Sequence, residues 1–250
     1  MSDRRKTPLE DEDIRPQACS VDLRLEILGQ VPFFAGLSPE SVSSINQLFH
    51  EHGYLSGEMI YLSGDPAKRL YVVAAGKVKL LRHTLKGKDV LLDILQPGEF
   101  FGSLSALGDD EYTETAQAQT DACILGIDSD SFRKILDSHP RVALKVLDTM
   151  AERLKSAQEM VRQLSVHSVE RRIAYTLLKL GEKLGQEGEV GLLIQVPLSR
   201  EDLAQMTGMS PETASRVLSQ FQKDGLIESG RQWISIINKE ALEAIAQEGL

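Results

Sequence analysis

The sequence lacks several features on which whole classes of protein depend. It contains two cysteines in 250 residues, Cys19 and Cys123, and their wide separation gives neither a zinc motif nor a disulfide framework. Two cysteines are also too few to bind a four-cysteine iron–sulfur cluster within one copy of the chain. The sequence has no apolar run that approaches the length of a membrane span, and no secretory signal. We therefore expect a cytoplasmic protein without a metal.

Positive charge is scarce as well. The formal net charge is −9, and the residues from 167 onward include nine lysines and arginines against twelve aspartates and glutamates. This balance excludes a generally basic nucleic-acid-binding domain, so any contact with phosphate has to come from a local basic face. The candidates for that face are Arg200, Arg216, Lys223 and Arg231.

The most informative segment that is present covers residues 198–221, LSREDLAQMTGMSPETASRVLSQF. It predicts two short helices joined by a tight turn. Ser199 and Asp202 have a spacing close to that of a capping box, which would begin the first helix. Gly208 can adopt a left-handed backbone conformation and so form the turn. Ser210 is followed by a proline, which is a strong start for the second helix.

The second of these helices has two different faces. Four apolar residues recur at helical spacing, while Glu212, Ser215 and Arg216 share the opposite face. Arginine can pair with guanine, glutamate can accept from the cytosine amino group, and serine is adaptable, so this face suits the reading of base edges. An ordinary helical hairpin with a solvated polar face is the alternative. The apolar residues are Ala214, Val217, Leu218 and Phe221.

A hairpin follows the two helices and favours the DNA-binding interpretation. Gly225 ends the second helix, and apolar-rich runs at 226–228 and 233–237 are separated by Ser-Gly-Arg-Gln. A recognition helix followed by a hairpin is typical of a winged helix.

The remainder of the chain predicts a tail, a roll and a long helix. Residues 1–22 are rich in charge and predict a disordered tail. Residues 23–137 begin with two helices, over 23–34 and 38–50, and continue as short strands with glycine-bearing turns, which indicates an antiparallel barrel or roll. Residues 138–166 predict a dimerisation helix, and residues 167–250 the winged-helix domain. The predicted strands are 59–62, 70–74, 78–83, 89–95, 116–118 and 122–127.

The long helix contains a seam of apolar residues. They alternate at spacings of three and four, as at the a and d positions of a coiled coil. We interpret the seam as the interface of a parallel homodimer. A helix that packs inside a monomer would give the same pattern and stays the alternative. The seam consists of Leu147, Met150, Leu154, Ala157, Val161 and Leu164.

Six short motifs lie along the chain: GE at 57–58, LYVV at 70–73, GKVK at 76–79, PGEFFG at 97–102, ERRIA at 170–174 and GMSPETASR at 208–216. With the order roll, long helix, winged helix, the chain resembles the bacterial CRP/FNR (cyclic-AMP receptor and fumarate-nitrate regulator) family of transcription factors. The resemblance implies an α+β fold with an N-terminal cyclic-nucleotide-binding-like β-roll, a long dimerisation helix and a C-terminal winged helix-turn-helix. It also implies double-stranded DNA, a second copy of the chain and RNA polymerase as partners.

The recognition helix resembles the fumarate-nitrate branch of that family, which reads TTGAT-like half-sites arranged as an inverted repeat. The resemblance implies that Arg216 contacts guanine, Glu212 the complementary cytosine and Ser215 a neighbouring thymine. It implies phosphate contacts from Ser199, Arg200, Ser210 and Thr213.

The sensor half departs from the family pattern. Where cyclic-AMP-binding members have a glutamate for the ribose this chain has Ser103, and where they have an arginine and serine for the phosphate it has Glu114 and Thr115. A carboxylate beside a phosphate is repulsive. The sequence therefore argues against cyclic AMP and predicts no cofactor. The residues of the corresponding effector pocket are Gly102, Ser103, Leu104, Glu114 and Thr115.

A haem-based or redox-based sensor of the same family stays open as an alternative. The available histidines are scattered, and Cys123 lies in a strand-like run, where we expect a buried and inert residue. A small-molecule-binding module that acts on a protein partner would leave the polar face of the second helix without a purpose. An enzyme is excluded, because the sequence has no nucleophile–base spacing, metal motif or phosphate-cradling loop. The histidines are His50, His52, His83, His139 and His167.

Overall fold

The computed structural model describes residues 9, 19–84, 89–103, 111–188 and 191–247. The chain divides between Ser156 and Ala157 into two compact units. Most of the predicted tail, residues 1–22, lies outside the described residues. Its last residues are structured, because Cys19 is buried and Ser20 caps a helix that begins at Val21.

Two short helices precede the roll, α1 (Val21–Gln30) and α2 (Pro39–Asn46). The hydroxyls of Ser20 and Ser38 accept hydrogen bonds of 3.2 Å from the amides three residues later, which satisfies donors that the first helical turn leaves free. α1 ends at Gln30, short of the predicted boundary, since the next residue precedes a proline and takes an extended conformation.

The roll consists of two antiparallel sheets. One has the strand order β1-β8-β3-β6 and the other β2-β7-β4-β5. The strands at 78–83 and 89–95 are confirmed residue for residue, and the antiparallel roll is confirmed as a whole. The bounds are β1 (His50–Tyr54), β2 (Met59–Tyr61), β3 (Arg69–Ala75), β4 (Val78–His83), β5 (Asp89–Leu95), β6 (Phe100–Gly102), β7 (Thr115–Ala118) and β8 (Ala122–Asp128).

The central strands of the first sheet are buried on both faces. Along β3, Leu70 and Val72 belong to a core shared with the helices, while Tyr71 and Val73 belong to a second core. Successive side chains of a strand point to opposite faces, so each of these strands supplies both cores. This explains why β3 and β8 are almost continuously apolar in sequence.

After β8 the chain forms α3 (Ser129–Ser138) and the long helix α4 (Pro140–Val166). α4 covers most of the predicted segment 138–166 and begins at Pro140, since proline suits the first helical position. Val142 is buried in the core that the helices share with the roll, and Val146 and Met150 pack against it. The start of α4 is therefore part of the roll's packing.

The second unit contains the end of α4, then α5 (Val169–Leu184), α6 (Arg200–Thr207), α7 (Pro211–Lys223) and α8 (Lys239–Gln247). A four-stranded antiparallel sheet accompanies them, with the order β11-β12-β10-β9. Within the described ranges, no helix is long and apolar enough to span a bilayer. The strands are β9 (Gly185–Gly188), β10 (Gly191–Ile194), β11 (Ile227–Gly230) and β12 (Trp233–Ile236).

Three further predictions are corrected. The predicted helix over 38–50 ends at Asn46, because His50 already pairs with Gly126 in the sheet. The predicted loop 185–191 contains strand β9, which pairs with β10. The prediction that the cysteines form no disulfide is wrong: Cys19 and Cys123 are joined, with their Cα atoms 6.3 Å apart, because folding brings residues 104 positions apart to one core.

Candidate nucleic-acid interface

The turn between α6 and α7 has the geometry that the sequence predicts. The Ser199 hydroxyl accepts from the Asp202 amide at 3.0 Å, and the Asp202 carboxylate accepts from the Ser199 amide at 2.8 Å, so the capping box is formed. Gly208 has φ +65°, a left-handed conformation that favours glycine. The Ser210 hydroxyl then caps α7 by accepting from the Thr213 amide at 3.2 Å. These two helix caps and the left-handed Gly208 therefore define the turn between α6 and α7.

The two faces of α7 separate as predicted. Ala214, Val217, Leu218 and Phe221 are buried, so this face packs into the domain. Glu212 and Arg216 are exposed, and Ser215 is half-buried. No hydrogen bond or ion pair joins the Arg216 guanidinium to any residue that the structure describes. The base-reading candidates therefore form one open surface.

The carboxylate of Glu212 lies at the start of α7, next to free backbone amides. Hydrogen bonds from its own amide and from Ser210 lower the pKa of the Glu212 carboxyl below its ordinary value. The ionised form is an acceptor only. Glu212 therefore presents acceptor oxygens on the same face as the donors of Arg216.

The four candidates for phosphate contact differ in how free their polar atoms are. Arg200 and Thr213 are half-buried, and Ser210 is exposed. The Ser199 hydroxyl donates to the Asp202 carboxylate at 2.6 Å. A phosphate contact from that hydroxyl therefore competes with the cap of α6.

The wing is formed by β11 and β12. Gly230 pairs with Trp233, so Arg231 and Gln232 form the turn, and both are exposed. Gln232 has φ +63°. Its carbonyl accepts a hydrogen bond of 3.0 Å from the Leu198 amide, which ties the wing to the start of α6. The hairpin prediction is confirmed: β11 continues two residues beyond the predicted run, to Gly230, and β12 begins at Trp233 as predicted.

A further residue that positions this interface was not predicted. Arg172, on α5, donates from Nη1 to the carbonyl oxygen of Thr207 at 2.7 Å. Thr207 ends α6, where carbonyl groups lack helical partners and attract cations. Arg172 lies in one of the family motifs, but a contact over 35 positions has no local signal in the sequence.

The predicted seam of α4 is largely open to solvent. Leu147, Leu154 and Val161, each seven residues apart, are 64, 61 and 64 % exposed, and Leu164 is 41 % exposed. Ala157 is also exposed. Met150 differs, because it packs partly against the roll. For the exposed members, packing inside one chain does not explain the apolar pattern.

The candidate effector pocket holds a carboxylate with its own partners. Glu114 accepts from the Tyr61 hydroxyl at 3.0 Å and from the Thr113 hydroxyl at 2.6 Å. Thr115 is fully buried and accepts from the Ser63 amide. Gly102, with φ +86°, leaves no room for a side chain, since an added Cβ would lie 2.7 Å from the Arg69 carbonyl oxygen. Ser103 is half-buried, and Leu104 lies outside the described residues.

The interior of the roll beside Glu114 is filled by aromatic rings. Tyr61 stacks on Tyr112 with ring centroids 3.8 Å apart, and Tyr71 stacks on Phe101 at 5.3 Å. Burial and the neighbouring Glu114 raise the pKa of Tyr61 far above its usual value, so it stays a neutral donor. These residues come from four different strands and loops, and no spacing in the sequence indicates the stack.

The histidines and acidic residues do not converge. In the described parts of the chain, no group of three or more His, Cys, Asp or Glu side chains could hold a metal ion. His83 instead contacts Asp89 at 2.6 Å, across neighbouring strands. Burial and the cations Arg171 and Arg162 lower the pKa of His167.

Comparison with known proteins agrees with this geometry. Residues 51–139 match the cyclic nucleotide-binding domain, and residues 171–245 match the Crp-like helix-turn-helix domain. The cyclic AMP receptor protein of Thermus thermophilus is 34% identical over 215 residues, 86% of this chain and 96% of that protein. A CRP-like cAMP-activated global transcriptional regulator of Mycobacterium tuberculosis is 28% identical over 217 residues, 87% of this chain and 97% of that protein. The solved structure of FixK2 from Bradyrhizobium japonicum has a TM-score of 0.71 and 25% identity, covering 81% of this chain and 99% of that one.

The α+β fold predicted from the sequence is thereby confirmed, with a cyclic-nucleotide-binding-like roll before a helix-turn-helix domain. Its relatives regulate transcription and are not enzymes, as expected. This chain belongs to the CRP/FNR family of DNA-binding transcription regulators.

Proposed function

We propose that this protein is a homodimer that reads an inverted repeat of TTGAT-like half-sites in double-stranded DNA. The observation that carries the proposal is the open face of α7, where Glu212 and Arg216 are exposed one helical turn apart. The face offers ionised acceptors beside free guanidinium donors, and a guanine–cytosine pair presents the complementary groups in the major groove.

Each residue of that face has a separate role in the proposal. Arg216 donates to the O6 and N7 atoms of guanine, and Glu212 accepts from the amino group of the paired cytosine. Ser215, half-buried between them, contacts the neighbouring thymine. Arg200, Ser210 and Thr213 hold phosphates. The Ser199 hydroxyl does so only when it gives up its hydrogen bond to Asp202 in the cap of α6. These contacts position the helix, while the face of α7 selects the sequence.

The homodimer is supported by the exposed seam of α4. Leucine and valine side chains at a spacing of seven are more than half exposed, and a row of this kind is stabilised when a second helix covers it. Two recognition helices related by a twofold axis would then face half-sites about one DNA turn apart. Cytoplasmic location and contact with RNA polymerase are part of this proposal, as the family resemblance implies.

The roll does not bind cyclic AMP in the manner that the names of its relatives suggest; this is our proposal for the sensor. Glu114 occupies the position expected of the phosphate-binding arginine, and its oxygens already accept two hydrogen bonds. The stacked tyrosines fill the space beside it. Calorimetry with cyclic AMP and cyclic GMP tests this, and binding in the micromolar range would overturn it.

Selection of binding sites from a random DNA library tests the DNA-reading proposal. We expect the wild-type protein to enrich inverted TTGAT-like half-sites. Arg216→Ala should lose the preference at one base pair of each half-site, by about 1–3 kcal/mol. Arg200→Ala should weaken binding to all sequences alike. Lys239→Ala, which removes an exposed cation from α8, serves as the matched control.

An unchanged sequence preference in Arg216→Ala would refute the assignment of that residue. A protein that enriches no DNA at all would support the competing module that acts on a protein partner. The haem alternative predicts a Soret band in the freshly purified protein. The redox alternative is favoured by a specific observation, the disulfide between Cys19 and Cys123.

A further inference from the structure

The cysteine pair joins the segment just before α1 to the centre of the roll. Cys19 directly precedes Ser20, the cap of α1, and Cys123 is the second residue of β8. Both are buried, with 7 and 2 % of their surfaces exposed. β8 is a central strand, paired with β1 on one side and β3 on the other. The bond therefore fastens the segment that leads into α1 to a strand with a neighbour on each side.

Cys123 lies on the face of β8 that packs against helices. Along β8, Ala122 and Ile124 belong to the inner core, while Cys123 and Leu125 belong to the core that the helices share. Cys19 belongs to that same helical core. The alternation of a strand thus decides that the two sulfur atoms meet on the helix side.

The helical core connects the cysteines with the start of the dimerisation helix. The same cluster includes Leu28 of α1, Phe34 of the following turn and Val142 of α4, with Met150 packed against it. The Lys145 ammonium also donates to the carbonyl oxygen of Ala35. A change in how α1 is held is therefore transmitted by direct packing to the first three turns of α4.

We propose that Cys19 and Cys123 form a reversible thiol–disulfide clamp that fixes α1 on the roll and thereby holds the start of α4. The inference that this clamp controls DNA affinity rests on the proposed function. In the oxidised protein α4 is held in one position, so the two recognition helices of the dimer are already positioned before DNA binds. In the reduced protein α1 keeps its Arg24 contacts with Asn46 but loses its covalent tie, and DNA binding has to select one arrangement of α4 from several.

Formation of the Cys19–Cys123 bond by thiol–disulfide exchange needs only a small disulfide as the oxidant. One protein thiolate attacks a low-molecular-weight disulfide, which forms a mixed disulfide and releases one small thiol. The second protein thiolate attacks the mixed disulfide, which closes the Cys19–Cys123 bond and releases the second small thiol. Two protein thiols are oxidised and one small disulfide is reduced. A small dithiol reverses both steps. Cys19 is the more exposed of the two cysteines, so we expect the small disulfide to react there first.

The first test measures the clamp without DNA. The full chain is equilibrated with oxidised or reduced glutathione, the disulfide is counted by mass spectrometry, and hydrogen exchange is followed in α1 and in residues 142–150. We expect slower exchange in both segments when the bond is closed. Cys19→Ala and Cys123→Ala should match the reduced protein in either buffer. Cys19→Ala, at the edge of the core, keeps the test valid if Cys123→Ala fails to fold.

The second test measures DNA binding of the same samples. We expect the oxidised protein to bind its selected site about tenfold more tightly than the reduced protein, and Cys19→Ala to bind equally in both buffers. The proposal is overturned if no disulfide forms, or if hydrogen exchange in residues 142–150 is the same with and without the disulfide. It is also overturned if the oxidised protein binds DNA as tightly as the reduced protein or more weakly. A redox-dependent exchange pattern without DNA binding in either state would refute the proposed function and leave the clamp itself intact.

Discussion

Replacing Leu154 tests whether the open seam of α4 is the dimer interface. Leu154 is 61 % exposed, and its counterparts one heptad away on either side, Leu147 and Val161, are 64 % exposed. In a parallel coiled coil a residue of the seam packs against its own copy in the partner helix. One substitution therefore changes both sides of the contact.

The expected magnitude follows from the exposed fraction. Complete burial of a leucine side chain contributes about 1.5–3 kcal/mol. With roughly 60 % of Leu154 still to be covered, about 1–2 kcal/mol per protomer remains to be gained on association. Two protomers give about 2–4 kcal/mol, so Leu154→Ala should raise the dimer dissociation constant by roughly 30-fold to 1000-fold. Leu154→Glu should raise it further, because two carboxylates would then face each other.

Sedimentation equilibrium over a dilution series measures this constant directly. We expect a wild-type dimer, a concentration-dependent mixture for Leu154→Ala and a monomer for Leu154→Glu. Far-UV circular dichroism should be unchanged, since the residue is exposed within one chain. Leu55→Ala and Leu55→Glu, at a leucine of the roll that is 55 % exposed, are the matched controls and should leave the dimer intact.

A wild-type monomer, or a Leu154→Glu variant that is still a dimer, would refute this reasoning. The seam would then have to be covered by something other than a second copy of the chain.

Two further predictions concern stability. Gly76→Ala should lower the free energy of unfolding in urea by about 2 kcal/mol or more, since φ is +80° and an added Cβ would lie 2.2 Å from the Asp121 carbonyl oxygen. Gly64→Ala is the control: φ is +91° but no atom lies within 4 Å of the added Cβ, so its smaller loss of stability measures the backbone strain alone. Hydrogen bonds from Arg162 and Gln163 lower the pKa of Glu159 to about 2. A lowered pKa stabilises the fold above the ordinary value of 4.5 and loses that effect as the pH falls towards 2, so Glu159→Gln should lower the melting temperature at pH 7 and have little effect near pH 2.

Local features of this chain follow from the sequence because their causes lie within a few residues. Ser199 and Asp202 cap α6, Gly208 turns the chain, and Ser210 begins α7, since each acts on backbone groups no more than four positions away. The strands β4 and β5 and the start of α4 have the same local origin. The apolar spacing of α7 also determines which face stays open, and so the candidate base-reading residues.

Only the tertiary structure decides the contacts between distant segments. The sequence argued against a disulfide between Cys19 and Cys123, and the fold brings them together because β8 turns Cys123 towards the helices. The tyrosine stack beside Glu114 and the bond from Arg172 to Thr207 likewise depend on the path of the chain. Side-chain periodicity specifies which face of an element is buried, but not which other element covers it. The exposed face of α7 could therefore be predicted from the sequence, whereas the packing of α1 against the start of α4 could be seen only in the tertiary structure.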